Sequence, residues 1–212
     1  MSPDFIHLRV HSEYSLVDGL ISVKPLVKTV FEMGMPAVAV TDVSNFFALV
    51  KFYSAAIAQG IKPIVGAEVW VEAQDDPGNC SKLVLFASND TGYQNLTRII
   101  SLGFLEGRSQ EKAIAKREWL HQHADGLIVL SGAEEGEIGE ALIRGNRPLA
   151  KSILQEWMSV FPDRFYIELQ RNGRADQELY ISKALELASE FECPPVATNE
   201  VCFFTQEDFE AH

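Results

Sequence analysis

Short apolar runs rich in β-branched residues alternate along the chain with stretches whose apolar positions recur every three or four residues. The first pattern marks strands and the second amphipathic helices. Strands are expected over residues 5–10, 37–41, 63–71, 82–87, 126–131, 165–170 and 195–198. Val23, Leu26, Val27, Val30 and Phe31 trace one helical face, with Ser22 placed to cap its start and Gly34 to stop it. Further helices are expected over 46–58, ending at Gly60, over 91–105, and over 175–191 ahead of Pro194 and Pro195. A helix over 148–160 begins with proline, whose missing amide is tolerated in the first turn. The polar, turn-rich segment 73–81 reads as a hairpin loop, and the charged segment 106–118 as irregular or weakly helical. Strands interleaved with helices in this way define an α/β protein with a mostly parallel sheet. Periodicity leaves open whether that sheet closes into a barrel or stays open as a doubly wound layer. Residues 206–212 resemble a helix start that breaks off, so a longer parent chain is expected.

Composition narrows the function classes. With 212 residues, 47% of them apolar and 23% charged, the chain has the balance of a globular protein with a sizeable core. It contains no run of about 18 apolar residues that could span a membrane, and its first residues lack the pattern of a secretory signal. Cys80, Cys193 and Cys202 lack zinc-type spacing and suit a reducing cytoplasm. The formal charge of −12 repels phosphates, and no Lys/Arg cluster offsets it, so weak or no DNA binding is expected of the isolated domain.

In α/β folds ligands gather at the carboxyl ends of strands. Those ends carry Arg9 and His11 with Asp18 soon after, then Thr41 and Asp42, Glu68, Glu168, and finally Asn199, Glu200 and Cys202. Carboxylates and imidazole arranged on neighbouring strand ends can hold metal ions that polarise a phosphate ester and activate water. Acidic residues at strand ends also serve as helix caps and solvated loop positions, and the residues alone leave both readings open. The segment from Gly132 to Gly136 carries acids where a phosphate-binding loop needs amides and a lysine. Cys202 reads as a buried structural thiol before a nucleophile. His121 and His123 read as surface residues, and Glu134, Glu135, Glu137 and Glu140 as solvent-facing charges in the first turn of a helix.

Six segments together resemble one family. They are His7-Leu-Arg-Val-His11-Ser-Glu-Tyr-Ser-Leu-Val-Asp18-Gly19, Ala39-Val-Thr41-Asp42-Val-Ser-Asn45, Gly60-Ile-Lys-Pro-Ile-Val-Gly-Ala-Glu68, Asn89-Asp-Thr-Gly-Tyr-Gln-Asn-Leu96, Gly126-Leu-Ile-Val-Leu-Ser-Gly132 and Val196-Ala-Thr-Asn-Glu200. In this order they resemble the PHP (polymerase and histidinol phosphatase) domains at the amino terminus of bacterial DNA polymerase III alpha subunits. The resemblance implies a single PHP domain over 1–212 with a distorted TIM-like barrel of about seven strands. Palm, fingers and thumb domains would lie beyond it. It implies a scaffold in DNA replication, docking the proofreading exonuclease (epsilon) subunit and the other polymerase domains, and working in the cytoplasm.

Active family members hold up to three metal ions. Here the matching positions are Arg9, His11, Asp18, Val43, Glu68, Lys82, Ala133, Glu200 and Cys202. Only His11, Asp18 and Glu68 keep the family's ligands. Arg9 and Lys82 put fixed cations where ions would sit, Val43 and Ala133 have no donor atom, and Glu200 and Cys202 are altered ligands. The expectation is therefore a vestigial site with no catalytic residue, no bound metal, and an ancestral zinc or manganese site lost. Arg9 and Lys82 would instead neutralise the remaining carboxylates. The rival expectation is a metal-dependent phosphoesterase or pyrophosphatase working through His11, Asp18, Glu68, Glu200 and Cys202.

Overall fold

A computed structural model describes residues 5–15, 19–76, 78–109, 112–205 and 208. In chain order these form β1 (Arg9–Val10), α1 (Val23–Glu32), β2 (Ala37–Val40), α2 (Leu49–Ala58), β3 (Lys62–Glu72), β4 (Cys80–Ala87) and α3 (Asp90–Glu106). Then follow β5 (Arg108–Ser109), β6 (Lys112–Ala115), α4 (Arg117–Gln122), β7 (Leu127–Leu130), α5 (Glu137–Ile143) and α6 (Arg147–Val160). The last elements are β8 (Phe165–Gln170), α7 (Gln177–Glu190), β9 (Pro195–Thr198) and β10 (Glu200–Val201). All seven expected strands occur, the first shortened to Arg9–Val10, and the α/β class stands. The chain divides into two compact units, Met1–Ala67 with Asn199–His212, and Glu68–Thr198.

In the first unit β1 pairs in parallel with β10, and β2 with the start of β3, in the register Ala37↔Lys62 to Val40↔Val65. Ala39 N donates to His7 O and Thr41 N to Val10 O, each at 2.9 Å, which ties β1 to β2. Val23, Leu26, Val27 and Val30 of α1 are buried, the face that their spacing specifies, and pack with Val10, Val38 and Phe52. Ser22 stands at the cap position, but its hydroxyl donates to Glu13 (2.9 Å) and makes no cap bond. Gly34 ends α1 with φ +70°, a conformation that costs glycine nothing, and Met35 N then closes on Val30 O at 3.0 Å. The second helix starts at Leu49, three residues later than the pattern suggests. Asn45 Oδ1 holds Phe47 N at 3.0 Å and keeps that approach in a turn.

In the second unit the strand order is β5-β6-β3-β4-β7-β8-β9, with β3 represented by its later residues. The ladders β3–β6, β7–β8 and β8–β9 are parallel, whereas β4–β7 is antiparallel. Leu85, Leu96, Ile99, Leu127, Trp157 and Phe161 are fully buried in its core. Asn146 Oδ1 accepts from Leu149 N (3.3 Å) to cap α6, with Pro148 in the first turn. Of segment 73–81, the described residues before Cys80 form a loop closed by Ala73 N donating to Asn79 O (3.0 Å), while Cys80 and Ser81 already belong to β4. Segment 106–118 is not irregular: β5 and β6 pair antiparallel (Arg108↔Ala113) and α4 follows. Its alternation in β6 buries only Ala113 and Ala115, whose small side chains give a weak period-two signal. The residues 206–207 and 209–212 lie outside the described residues, and with them most of the helix start expected there.

Candidate functional site

In the first unit, the parallel register sets Arg9 opposite Glu200. The buried guanidinium, only 1% exposed, lies 3.5 Å from Glu200 Oε1. One step on, His11 N donates to Val201 O (2.9 Å), placing the buried imidazole Nδ1 3.9 Å from Cys202 Sγ. A His11 ring nitrogen and a Glu200 carboxylate oxygen approach within 4.8 Å. Asp42, at the end of β2, has its oxygens taken by the turn after β1. It accepts from Ser12 N at 2.6 Å, Ser12 Oγ at 2.7 Å and Ser15 Oγ at 2.9 Å. Val43 beside it offers only its backbone, whose N donates to Ser15 Oγ at 3.1 Å and whose O accepts from Asn45 Nδ2 at 3.0 Å. Asp18 lies outside the described residues.

In the second unit, neighbouring strands β3 and β4 carry Glu68 and Lys82. Glu68 is fully buried, and Lys82 Nζ stands 2.8 Å from its Oε1 and 2.9 Å from Glu135 Oε2. Burial pulls the ammonium's pKa down, but the Glu68 and Glu135 carboxylates outweigh it and hold the pKa above the ordinary lysine value. The ammonium also sits 5.1 Å from the Trp70 ring centre, a cation–π contact. Ala133, buried and at φ +51°, contributes a methyl group and no donor. Glu168 is fully buried, and its Oε1 accepts from Thr198 Oγ1 at 2.5 Å and Gln170 Nε2 at 3.4 Å. Tyr180 OH donates to Glu168 O at 2.6 Å, and burial above all, with the charges of Glu168 and Glu134, pushes that phenol's pKa well up.

The glutamates assigned to solvent need correction. Glu135 pairs with Lys82 and with Arg174 (3.4 Å). Glu137 is buried, accepts from Gln74 N, and pairs with Arg117 at 2.7 Å. Both oxygens of Glu134 are shielded from solvent. Glu140 makes the helix-surface pair with Arg144 (3.0 Å). Arg117 escaped the sequence reading altogether. It also grips Glu156 (2.5 Å) and stacks 4.5 Å from the Trp157 ring centre. Its position inside the segment read as irregular hid it. His121 is a half-exposed neighbour of this network, with Nε2 2.9 Å from Glu156 Oε1.

The positions singled out as former metal ligands carry a mixed set of side chains. Two positions carry permanent cations, two carry no donor, and Asp42 is consumed by hydroxyls and an amide.

The architecture is that of an α/β domain whose strand ends carry charged and imidazole side chains. The PHP domain family matches residues 7–172, and the chain belongs to that family. Over all 212 residues it is 53% identical to a DNA polymerase III subunit alpha from Pseudomonas aeruginosa, covering 100% of this chain and 18% of that protein. It is 46% identical to the DNA polymerase III subunit alpha of Escherichia coli K12 over 99% of this chain and 18% of that one. The chain thus spans less than one fifth of these curated relatives. Among solved structures, a two-domain protein from Bacteroides vulgatus containing a predicted PHP-like metal-dependent phosphoesterase superposes with a TM-score of 0.55. The superposition covers 95% of this chain and 55% of that one at 15% identity, a likeness of fold.

Proposed function

We propose that this chain is the amino-terminal PHP domain of a DNA polymerase III alpha subunit and serves it as a scaffold without hydrolytic activity of its own. Relatives of that name match essentially every residue of the chain. The observation that carries the scaffold reading is Lys82, which bridges Glu68 and Glu135 at 2.8 and 2.9 Å. A fixed ammonium satisfies carboxylates that a divalent ion would otherwise hold, and a pocket filled this way is structural. Arg9 plays the same part toward Glu200. The vestigial positions are Arg9, His11, Asp18, Val43, Glu68, Lys82, Ala133, Glu200 and Cys202, with no catalytic residue and no resident metal. Nucleotide addition would belong to the remaining domains of the parent chain, and the domain's partners would be those domains and the proofreading exonuclease subunit, in the cytoplasm.

The rival reading, a metal-dependent phosphoesterase or pyrophosphatase, draws on the approach of His11 to Glu200 and Cys202. Elemental analysis after purification without chelators separates the two. The scaffold reading expects far less than one zinc or manganese per chain and no hydrolysis of a generic phosphodiester. Stoichiometric metal with chelator-sensitive turnover would select the phosphoesterase. Restoring Arg9→His, Val43→His, Lys82→His, Ala133→Cys, Glu200→Asp and Cys202→His together is expected to bring metal binding back. A folded variant that binds none would refute the residue assignment.

A further inference from the structure

Helix α2 is apolar on both of its sides. Ala48, Phe52 and Ala56 face the core of the first unit. On the other side Val50 (79% exposed), Tyr53 (51%) and Ile57 (56%) form a stripe, led in by Phe47 (65%). The helix proper carries one charge, Lys51. A helix that is apolar all round is normally buried all round. Below the stripe, Tyr53 and Ile57 line a shallow open groove of about 390 Å³ with Gly60, Ile61, Lys62 and Pro63, room for several side chains.

On a chain of net charge −12 this face is mostly apolar, with Lys51 on the helix and Lys62 in the groove as its cations, too few to hold a nucleic-acid backbone. A subunit that comes and goes meets surfaces about as polar as the rest of the protein, because each side must stay soluble alone. A permanent partner meets surfaces resembling a core cut in half. The stripe is of the second kind. The curated relatives are more than five times as long as this chain, so a polymerase of their length supplies a partner that never leaves. Resting on the reading that this is a polymerase domain, we infer that the α2 face, Phe47, Val50, Tyr53 and Ile57, is the seat of the remaining part of the same polymerase chain. It is not the seat of a second copy or of an exchangeable subunit.

The test uses the full-length polymerase chain with Val50 replaced by a photo-reactive phenylalanine analogue, at a site whose exposure tolerates the change. After irradiation, with and without the proofreading exonuclease, cross-linked peptides are mapped by mass spectrometry. The expected result is a link within one chain, from position 50 to a residue beyond position 212, unchanged by the exonuclease. A product of twice the chain mass, a link to the exonuclease, or no link would each overturn the inference. Template-directed incorporation is measured on the same sample. A chain that incorporates nucleotides but lacks the internal link sinks the α2 inference alone, whereas one that incorporates none sinks the polymerase reading.

Discussion

Lys82 is the residue whose neighbours decide most. Its charge is held between the fully buried Glu68 and the partly exposed Glu135, and removing it would take a cation from a carboxylate that water does not reach. Lys82→Met, which keeps the apolar stem, is expected to cost about 3–5 kcal/mol at neutral pH. The pH dependence has a definite sign. Because the folded-state pKa of Lys82 lies above its ordinary value, its stabilisation is complete below the unfolded lysine pKa and is lost as pH rises through the folded value. The native chain should therefore lose this contribution only in strong alkali. In Lys82→Met the deficit should shrink as pH falls, because a buried carboxylate deprived of a cation favours its neutral form. Urea melts of both proteins at pH 5 and 8 check this, and a deficit that is small or does not depend on pH would show that Glu68 is otherwise satisfied. The strand-end positions were legible in the sequence because each follows an apolar run. Which oxygens were already occupied was not. Asp42 is consumed by Ser12 and Ser15, about 30 residues away, and Glu135 by Lys82, partners that only tertiary structure brings together.

At the scale of elements, a segment read from sequence as a family signature proves to be a joint. Asn89 Oδ1 caps α3 by accepting from Gly92 N at 2.9 Å, and Asn95 Nδ2 donates to Asp125 O at 2.8 Å. Gly92 thereby rests on the start of β7, where Ser88 N holds Gly126 O at 2.9 Å. A methyl group on Gly92 would lie 1.9 Å from Gly126 O, a backbone atom with little room to yield. Alanine normally gains about 1 kcal/mol over glycine inside a helix. At this joint the clash should reverse the sign, so that Gly92→Ala loses about 2 kcal/mol net. Gly103→Ala in the same helix is the control, since its methyl would meet Ala113 at an ordinary 3.5 Å and should stabilise. Equal effects of the two substitutions in urea denaturation would refute the joint. Long periodic elements such as α1 and α6 were readable because their apolar spacing is regular. The β5–β6 hairpin was not, since its inward residues are alanines, and the burial of Glu137 depends on Arg117 in that unread stretch.

For the molecule as a whole, charge sets what it can touch. Eighteen Lys and Arg face thirty Asp and Glu, and several of the cations are already held. Arg147 lies between Glu186 (3.3 Å) and Glu190 (2.9 Å), Lys151 also contacts Glu190, and Arg171 meets Glu178 twice. A cation paired with a carboxylate gives a phosphate little net attraction unless that pair is first broken. The consequence is that residues 1–212 alone should bind duplex and single-stranded DNA no tighter than the micromolar range at physiological salt. A domain adapted to DNA shows the opposite signature, because each phosphate neutralised by a basic side chain steepens the salt dependence by about 0.9 in log–log slope. Fluorescence anisotropy of a labelled oligonucleotide between about 50 and 200 mM salt reads both quantities. The expected result is weak binding with a slope near zero. Submicromolar binding that collapses as salt rises would reveal a basic surface. A slope near zero would mean that residues 1–212 neutralise no phosphates on binding.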